Sequence, residues 1–472
     1  MGKAVVIGAG ISGLAAAFWI QQKGMDVEVF EKNSRAGGVI ETLREEGYLF
    51  EKGPNSFLDN APDTLALCRD LNLENEVLKQ SMRTNARYIF LNGRLQEVPI
   101  GPGGLFKTGL LSGKAKRGLL GEMFRRANRS QQDESLASFI RRRLGVEILN
   151  NIVTPFISGV YAGDPEQLSL RATFPLFYEL ERNHGSLIRG MLFRKRDKTR
   201  KQKESSTEGA ARAKNMCSLV DGMEALTQAL ARKLDGRLHL NSAAVEIQRQ
   251  PEGGYRVVID GAQAKPVEAD VVVLAVPAYN ASALLEPILH QSSGYLHTIP
   301  YNALSVAGLG YARGAVKHDC NGFGFLAPRN QGVRILGSIW SSSLFVRRAP
   351  GGYKNFTVFI GGGLDPAAYA LNDDELLPQI RTDLKNTVGA EGEPAILRIF
   401  RWERAIPQYP IGHVEHIEVL QREMASTPGL FCIGNYLDGV AVNDCIRNAR
   451  RVAREVVNIL KAHEPGIPKV AV

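Results

Sequence analysis

The sequence predicts an α/β protein: a Rossmann-type nucleotide-binding domain interrupted by a helical domain and by a mainly antiparallel β-sheet domain. Three observations predict it. Residues 3 to 31 run from an apolar strand through a glycine turn and a helix to a second strand. Residues 100 to 193 read as mainly helical, and strand-like runs dominate from about 300 to 402.

The opening stretch carries the most information. Lys3 to Ile7 meets Gly8-Ala9-Gly10-Ile11-Ser12-Gly13, a helix-period segment reaches Lys23, and a second apolar run ends in Glu31. This is the dinucleotide fingerprint in its full context. Gly8 allows the tight turn. Gly10 lets a pyrophosphate approach the backbone, and Gly13 lets the helix lie close to the strand. The helix N-terminus offers free N–H groups and a partial positive charge to phosphates. Glu31 suits a ribose hydroxyl, which favours FAD or NAD over NADP. A glycine turn without a nucleotide would not need both strands and the acid.

Two further segments favour FAD. Arg35-Ala36-Gly37-Gly38 follows the acid, and Phe50-Glu51-Lys52-Gly53-Pro54-Asn55 comes after it. A second glycine pair in this place is typical of flavoproteins, where an extended FAD crosses the sheet. At the far end, Leu430 to Ile433 reads as a strand, Gly434-Asn435 as a turn and Val442 onward as a closing helix. Its N-terminal dipole would suit negative charge on a flavin ring. The two ends of the chain are therefore expected in one domain.

Between these ends, Tyr88 to Phe90 and Leu95 to Pro99 read as strands about the turn Asn92-Gly93. Asp133 to Gly145 is an amphipathic helix. Residues 194 to 214 are polar and basic and read as a flexible linker. A helix over Gly222 to Leu234 precedes strands at Leu238 to Leu240, Val245 to Arg249, Arg256 to Ile259 and Val271 to Val276. Further strands are expected at Leu304 to Tyr311, Gly324 to Ala327, Ile335 to Ile339, Thr357 to Gly361 and Ile396 to Trp402, with a helix over 374 to 388. The division expected is 1–85, 214–280 and 425–472 for the nucleotide domain, 86–98 and 281–424 for the sheet domain, and 99–213 for the helical domain.

Composition excludes several classes. The 472 residues hold five cysteines in no paired motif, so a reducing compartment without structural disulfides is expected. No HExxH or Cys/His cluster occurs, so no metal is expected. No apolar run reaches the roughly 18 to 20 residues of a membrane-spanning helix. No signal peptide precedes the first strand, which leads to a cytoplasmic expectation. The net charge of +9 is concentrated. Residues 107 to 143 and 189 to 214 each hold ten Lys/Arg and three Asp/Glu. No nucleic-acid module accompanies them. Apolar, glycine-containing stretches such as Gly103 to Phe106 and Gly118 to Leu120 lie beside the first block, so peripheral docking on the inner face of the cell membrane is favoured over a merely solvated face.

The chain resembles the oxygen-dependent protoporphyrinogen oxidases, within the monoamine-oxidase-like flavoproteins. The motifs that carry the resemblance are Gly53-Pro54-Asn55-Ser56-Phe57, GVYAGDPEQLSLRATFP from Gly159, Gly322-Phe323-Gly324-Phe325-Leu326, RWERAIPQYPIGH from Arg401 and GVAVNDCIRNA from Gly439. The resemblance implies noncovalent FAD, a substrate-binding sheet domain and a helical membrane-binding domain. It implies six-electron oxidation of a porphyrinogen with dioxygen as acceptor, the flavin N5 carrying the chemistry and no side chain acting as catalyst.

Carried onto this chain, the resemblance implies FAD contacts at Gly8, Ala9, Gly10, Ile11, Ser12, Gly13, Glu31, Lys32, Arg35, Gly38, Val39, Gly53, Pro54, Asn55, Ser56, Val245, Val440, Ala441 and Val442. It implies substrate contacts at Arg87, which would hold a propionate, and at Phe323, Leu326, Ile339 and Phe359, which would line a flat slot. Gly159 would keep the slot clear. The basic insert at 194 to 214 matches no family motif. An anionic membrane surface is the expected partner, a ferrochelatase the candidate downstream enzyme and a homodimer a candidate assembly. Protoporphyrinogen IX is favoured over coproporphyrinogen III because the slot motifs are uncharged apart from Arg87. More distant alternatives are an amine oxidase, a desaturase-like flavoenzyme, or a non-catalytic flavin-fold protein that binds lipids or partners.

Overall fold

The computed structural model describes residues 2–81, 85–99, 102–130, 132–204, 215–262 and 264–462. Its centre is a five-stranded parallel sheet in the order Leu238–His239, Asp26–Phe30, Lys3–Ile7, Val271–Leu274, Leu430–Cys432. Strands from both chain ends thus belong to one sheet, with Val271–Leu274 between Lys3–Ile7 and Leu430–Cys432. Val271–Leu274 is buried at every position, as a central parallel strand covered on both faces must be.

The helix Ile11–Gln22 is apolar almost all round, with Leu14, Ala15, Ala16, Ala17 and Ile20 fully buried. Such a helix needs cover on every side. The closing helix Val442–Ala462 supplies it through Ile446, Ala449, Val452, Ala453, Val456 and Leu460, spaced three and four apart. Each fully buried aliphatic side chain contributes roughly 1.5–3 kcal/mol by leaving water.

Three helices from the stretch expected in the sheet domain lie on the opposite face of this sheet. The helices Ala278–Leu285, His290–Thr298 and His413–Ala425 fall in the stretch assigned to the sheet domain. They pack instead on the nucleotide sheet, where Ala281, Leu285, Leu296, Ile417 and Leu420 cluster with Val5, Ile7, Val272 and Leu274. The reason is that both faces of a parallel sheet must be covered.

The second sheet has seven strands in the order Ile396–Pro407, Tyr301–Ala312, Tyr353–Gly361, Gly337–Trp340, Gly324–Leu326, Arg87–Leu91, Arg94–Glu97. All neighbours are antiparallel except Gly324–Leu326 beside Arg87–Leu91. Side chains alternate between its faces. Phe325, Trp340, Phe356, Val358 and Ile360 pack toward Leu376, Ile380 and Leu384 of the helix Asp373–Val388. An expected strand start at Ile335 moves to Gly337.

Residues between 102 and 204 are mainly helical, including Leu136–Arg143, Thr154–Tyr161, Pro175–His184 and Leu187–Glu204. Ser135 caps the first of these by accepting from Ser138 N–H at 3.1 Å. The last runs on through 194–204, the first part of the segment expected as a flexible linker. Arg, Lys, Gln and Glu are strong helix formers, and no glycine or proline interrupts them there. The remainder of that segment, 205–214, lies outside the described residues.

Candidate active site

The glycine loops fold onto each other. Gly8 has φ +101°, a conformation that glycine adopts without strain. A Cβ on Gly13 would lie 2.0 Å from Gly8 O, so only glycine lets this helix approach the strand. A Cβ on Gly10 would meet nothing within 4 Å. Gly10 bridges Gly37, and a Cβ on Gly38 would lie 3.2 Å from Gly10 Cα. Two glycine turns therefore meet beside an open backbone cradle at the helix N-terminus, the arrangement that admits a diphosphate.

Glu31 directly follows the strand Asp26–Phe30 beside this cradle and is 8% exposed. Its Oε2 accepts from Ala9 N–H at 2.8 Å, and its Oε1 accepts from Asn33 N–H at 3.0 Å and Asn33 Nδ2 at 2.6 Å. A carboxylate has about four acceptor sites, which leaves one on Oε2 for a hydroxyl donor. Arg35 turns back on its own loop. Its Nη1 donates to Ala36 O at 2.9 Å and Ile40 O at 3.0 Å. It shapes the second glycine turn. Lys32 is exposed next to Glu31. Val245 is 53% exposed and falls at a bulge in the strand Ser242–Arg249, where pairing skips from Ala244 to Glu246.

The segments 53–56 and 440–442 approach from other parts of the chain. A Cβ on Gly53 would lie 2.1 Å from Val39 O, so these two backbones touch. Pro54 follows, and Asn55 Nδ2 donates to Gly53 O at 3.1 Å. Val440 and Ala441 lead into the closing helix, whose Val442 and Ile446 pack in one core with Leu14 and Ala15 of the opening helix. Ile11 packs against the same core. Cys445 is 6% exposed, and burial pushes its thiol up to about 11. It is a poor nucleophile.

The slot residues come together on the face of the second sheet turned away from the helix Asp373–Val388. Arg87 pairs with Gly324 across parallel strands, Gly324 with Ile339, Leu326 with Gly337, and Gly337 with Phe359. Phe323 sits just before Gly324, whose φ of +143° breaks the alternation there. The Arg87 guanidinium lies 5.5 Å from the Phe323 ring centroid. No carboxylate pairs with Arg87 among the described residues. Phe359 packs beside Leu336 and Trp402. Gly159 faces Leu326: a Cβ there would lie 2.3 Å from Leu326 Cδ2.

Phe323 and Ile339 share a cavity of about 10 Å³ with Asn55 and Ser56. The glycine-rich segment therefore abuts the apolar slot directly. The cavity itself has room only for a water-sized group. Two charged wall residues escaped the sequence reading. Glu51 is 5% exposed, and its burial pushes the carboxyl up to about 7. It accepts from Thr42 Oγ1 at 2.6 Å and Met223 N–H at 2.8 Å. Arg348 lies on the same wall, donating to Ser218 Oγ at 2.8 Å and Leu219 O at 2.9 Å; burial lowers its pKa. Glu51 stands within the quoted segment Phe50 to Asn55. Arg348 carries no motif that could have flagged it.

The family model for flavin containing amine oxidoreductases matches residues 11–457. The chain belongs to the flavin-containing amine oxidoreductase family. Among curated relatives, the chloroplastic protoporphyrinogen oxidase of Oryza sativa subsp. japonica is 34% identical over 97% of this chain and 88% of its own length. The coproporphyrinogen III oxidase of Bacillus subtilis (strain 168) is 30% identical over 97% of this chain and 98% of its own. A solved structure from Exiguobacterium sp. 255-15, provisionally named a protoporphyrinogen oxidase, covers 97% of this chain and 99% of its own at 25% identity and TM-score 0.79.

As a member of the flavin-containing amine oxidoreductase family, the protein is an oxidoreductase enzyme and its cofactor is FAD. The site fits that group. The Gly10 cradle is open, Glu31 retains an acceptor, and the closing helix starts beside the opening one. Bound FAD supplies a two-electron acceptor. The chain's own residues supply binding and orientation.

Proposed function

We propose that this enzyme performs the FAD-dependent, six-electron oxidation of protoporphyrinogen IX to protoporphyrin IX. Three dioxygen molecules accept the electrons and leave as hydrogen peroxide. The observation that carries the reading is Arg87, which has no carboxylate partner among the described residues and stacks on Phe323, whose cavity with Ile339 adjoins the glycine-rich segment. Its guanidinium would hold a propionate bidentately. Three arginines that could otherwise serve the slot are engaged elsewhere. Arg334 donates to Asp365 at 2.7 and 3.1 Å, and Arg171 pairs with Glu415. Arg348 is spent on backbone carbonyls and Ser218. Burying a carboxylate without a partner is costly, so this slot suits two propionates better than four.

Coproporphyrinogen III is the second reading, supported by the Bacillus subtilis relative that matches nearly end to end. Steady-state kinetics on both porphyrinogens, read by porphyrin fluorescence, test the choice. A higher kcat/KM for protoporphyrinogen IX supports the first reading; the reverse overturns it. No porphyrin from either substrate overturns both.

The same reading includes peripheral docking of the helical part, 99–213, on an anionic membrane from the cytoplasmic side. Leu120, Phe124, Val146, Leu192 and Phe193 all stand at least half exposed there, amid the arginine-rich stretches. Apolar side chains in solvent beside basic ones suit an interface helix. No helix among the described residues is long and apolar enough to cross a membrane.

A further inference from the structure

The helical region contains a cavity of about 1080 Å³ remote in function from the glycine loops, and five of its lining residues are arginines: Arg125, Arg126, Arg129, Arg182 and Arg189. Among the described residues none of the five forms an ion pair with a carboxylate. Two carboxylates do line the cavity, but both are engaged elsewhere. Arg142 holds Glu134 and Glu181 at 2.6 Å each. Behind it Arg143 pairs with Glu122, both fully buried, and Glu122 also accepts from Ser186 Oγ and Leu187 N–H.

Three of the arginines are positioned without being neutralised, and Arg126 and Arg129 are exposed at the rim. Arg125 Nη1 donates to Arg142 O at 2.7 Å, Arg189 Nη2 to Met123 O at 2.6 Å, and Arg182 Nη1 to Tyr178 Oη at 2.8 Å. Carbonyl and hydroxyl acceptors orient a guanidinium and leave its charge in place. Five like charges round one hollow repel each other, and an anion relieves that repulsion. The planar fork of arginine matches phosphate oxygens.

We propose that this cavity is a discrete binding site for the phosphate of an anionic phospholipid headgroup. The apolar surroundings select a lipid. Phe124, 88% exposed, lines the cavity itself, and Leu120 and Phe193 are exposed on the adjoining elements. A phosphate held at the arginines would leave its acyl chains beside these side chains. The proposal rests on the membrane-docking reading and sharpens it from a diffuse charge to one pocket.

The test is sedimentation of the FAD-loaded protein with phosphatidylcholine vesicles containing phosphatidylglycerol. Two cavity variants, Arg126→Ala/Arg182→Ala and the exposed pair Arg126→Ala/Arg129→Ala, are compared with Lys107→Ala/Lys114→Ala. The last pair removes the same charge from exposed positions outside the cavity. Flavin content and porphyrinogen turnover in detergent check folding. The site predicts that the cavity pairs weaken binding at least tenfold more than the lysine pair. It also predicts that soluble short-chain phosphatidylglycerol displaces the vesicles at concentrations where inorganic phosphate does not. Equal losses in cavity and lysine pairs would overturn the pocket and leave the diffuse membrane reading standing. Equal competition by inorganic phosphate would reduce the pocket to a phosphate site and overturn the lipid assignment. No binding of the unaltered protein to any vesicle would overturn both readings.

Discussion

Gly159 and Leu326 meet where the helix Thr154–Tyr161 touches the second sheet: a Cβ on Gly159 would fall 2.3 Å from Leu326 Cδ2. One residue comes from the helical part and the other from the slot wall. Their contact fixes how close the two regions lie at the candidate site.

Gly159→Ala should therefore push the Leu326 tip into the slot. Overpacking of this kind typically costs about 1–3 kcal/mol. The expected result is a raised KM for porphyrinogen with normal flavin content. Leu326→Ala in the same chain should restore much of the loss, since residues in contact couple. A double-mutant cycle in KM and thermal midpoint checks this; additive effects would place Gly159 outside the slot.

Arg87→Ala should lower kcat/KM by roughly 10- to 150-fold, the equivalent of about 1.5–3 kcal/mol for a hydrogen bond to a charged group. Flavin content should stay normal. Arg87→Lys should recover only part, because an ammonium lacks the planar fork. Steady-state kinetics of the two variants decide; unchanged values for alanine would return Arg87 to an ordinary surface arginine stacked on Phe323.

FAD should be held tightly and without a covalent bond. The late cysteine, Cys445, is buried with its thiol pushed up to about 11. Acid precipitation should release all the yellow colour to the supernatant, and Cys445→Ala should bind as much flavin as the unaltered chain. Colour retained on the pellet would contradict this.

Two buried groups should bend the pH–stability curve in opposite senses. Glu51 has its pKa raised to about 7 by burial, against an ordinary 4.5. Its folded form binds the extra proton, so its contribution is full below pH 4.5 and lost as pH rises through 7. His413 is lowered by burial to about 4 from 6.5, so its contribution is full above pH 6.5 and lost as pH falls through 4. Each amounts to roughly 3 kcal/mol at most. Denaturant midpoints across this range should therefore fall more steeply on acidification in Glu51→Gln and less steeply in His413→Gln. Parallel curves for both variants and the unaltered chain would show that neither group titrates with folding.

The strand–glycine–helix–strand opening, the closing helix and the mainly antiparallel strands of the second sheet were legible in the sequence. Each is set by local rules: the small set of turns that glycine permits, and apolar periods of two or near three and a half. The slot residues were legible only through the resemblance, because an apolar residue on a strand looks the same whether it faces a core or a ligand. Tertiary structure alone decided the rest. It turned Arg35 onto its own loop, set Glu51 and Arg348 in the slot wall, and laid the helices 278–298 and 413–425 on the nucleotide sheet. It also split the basic blocks, sending Arg142 and Arg143 to Glu181 and Glu122 while leaving five neighbours round an open hollow. A sequence counts charges along the chain, but an arginine's partner is set by distances across the fold. Coulomb energy and desolvation depend on those distances and not on the spacing of residues in the chain.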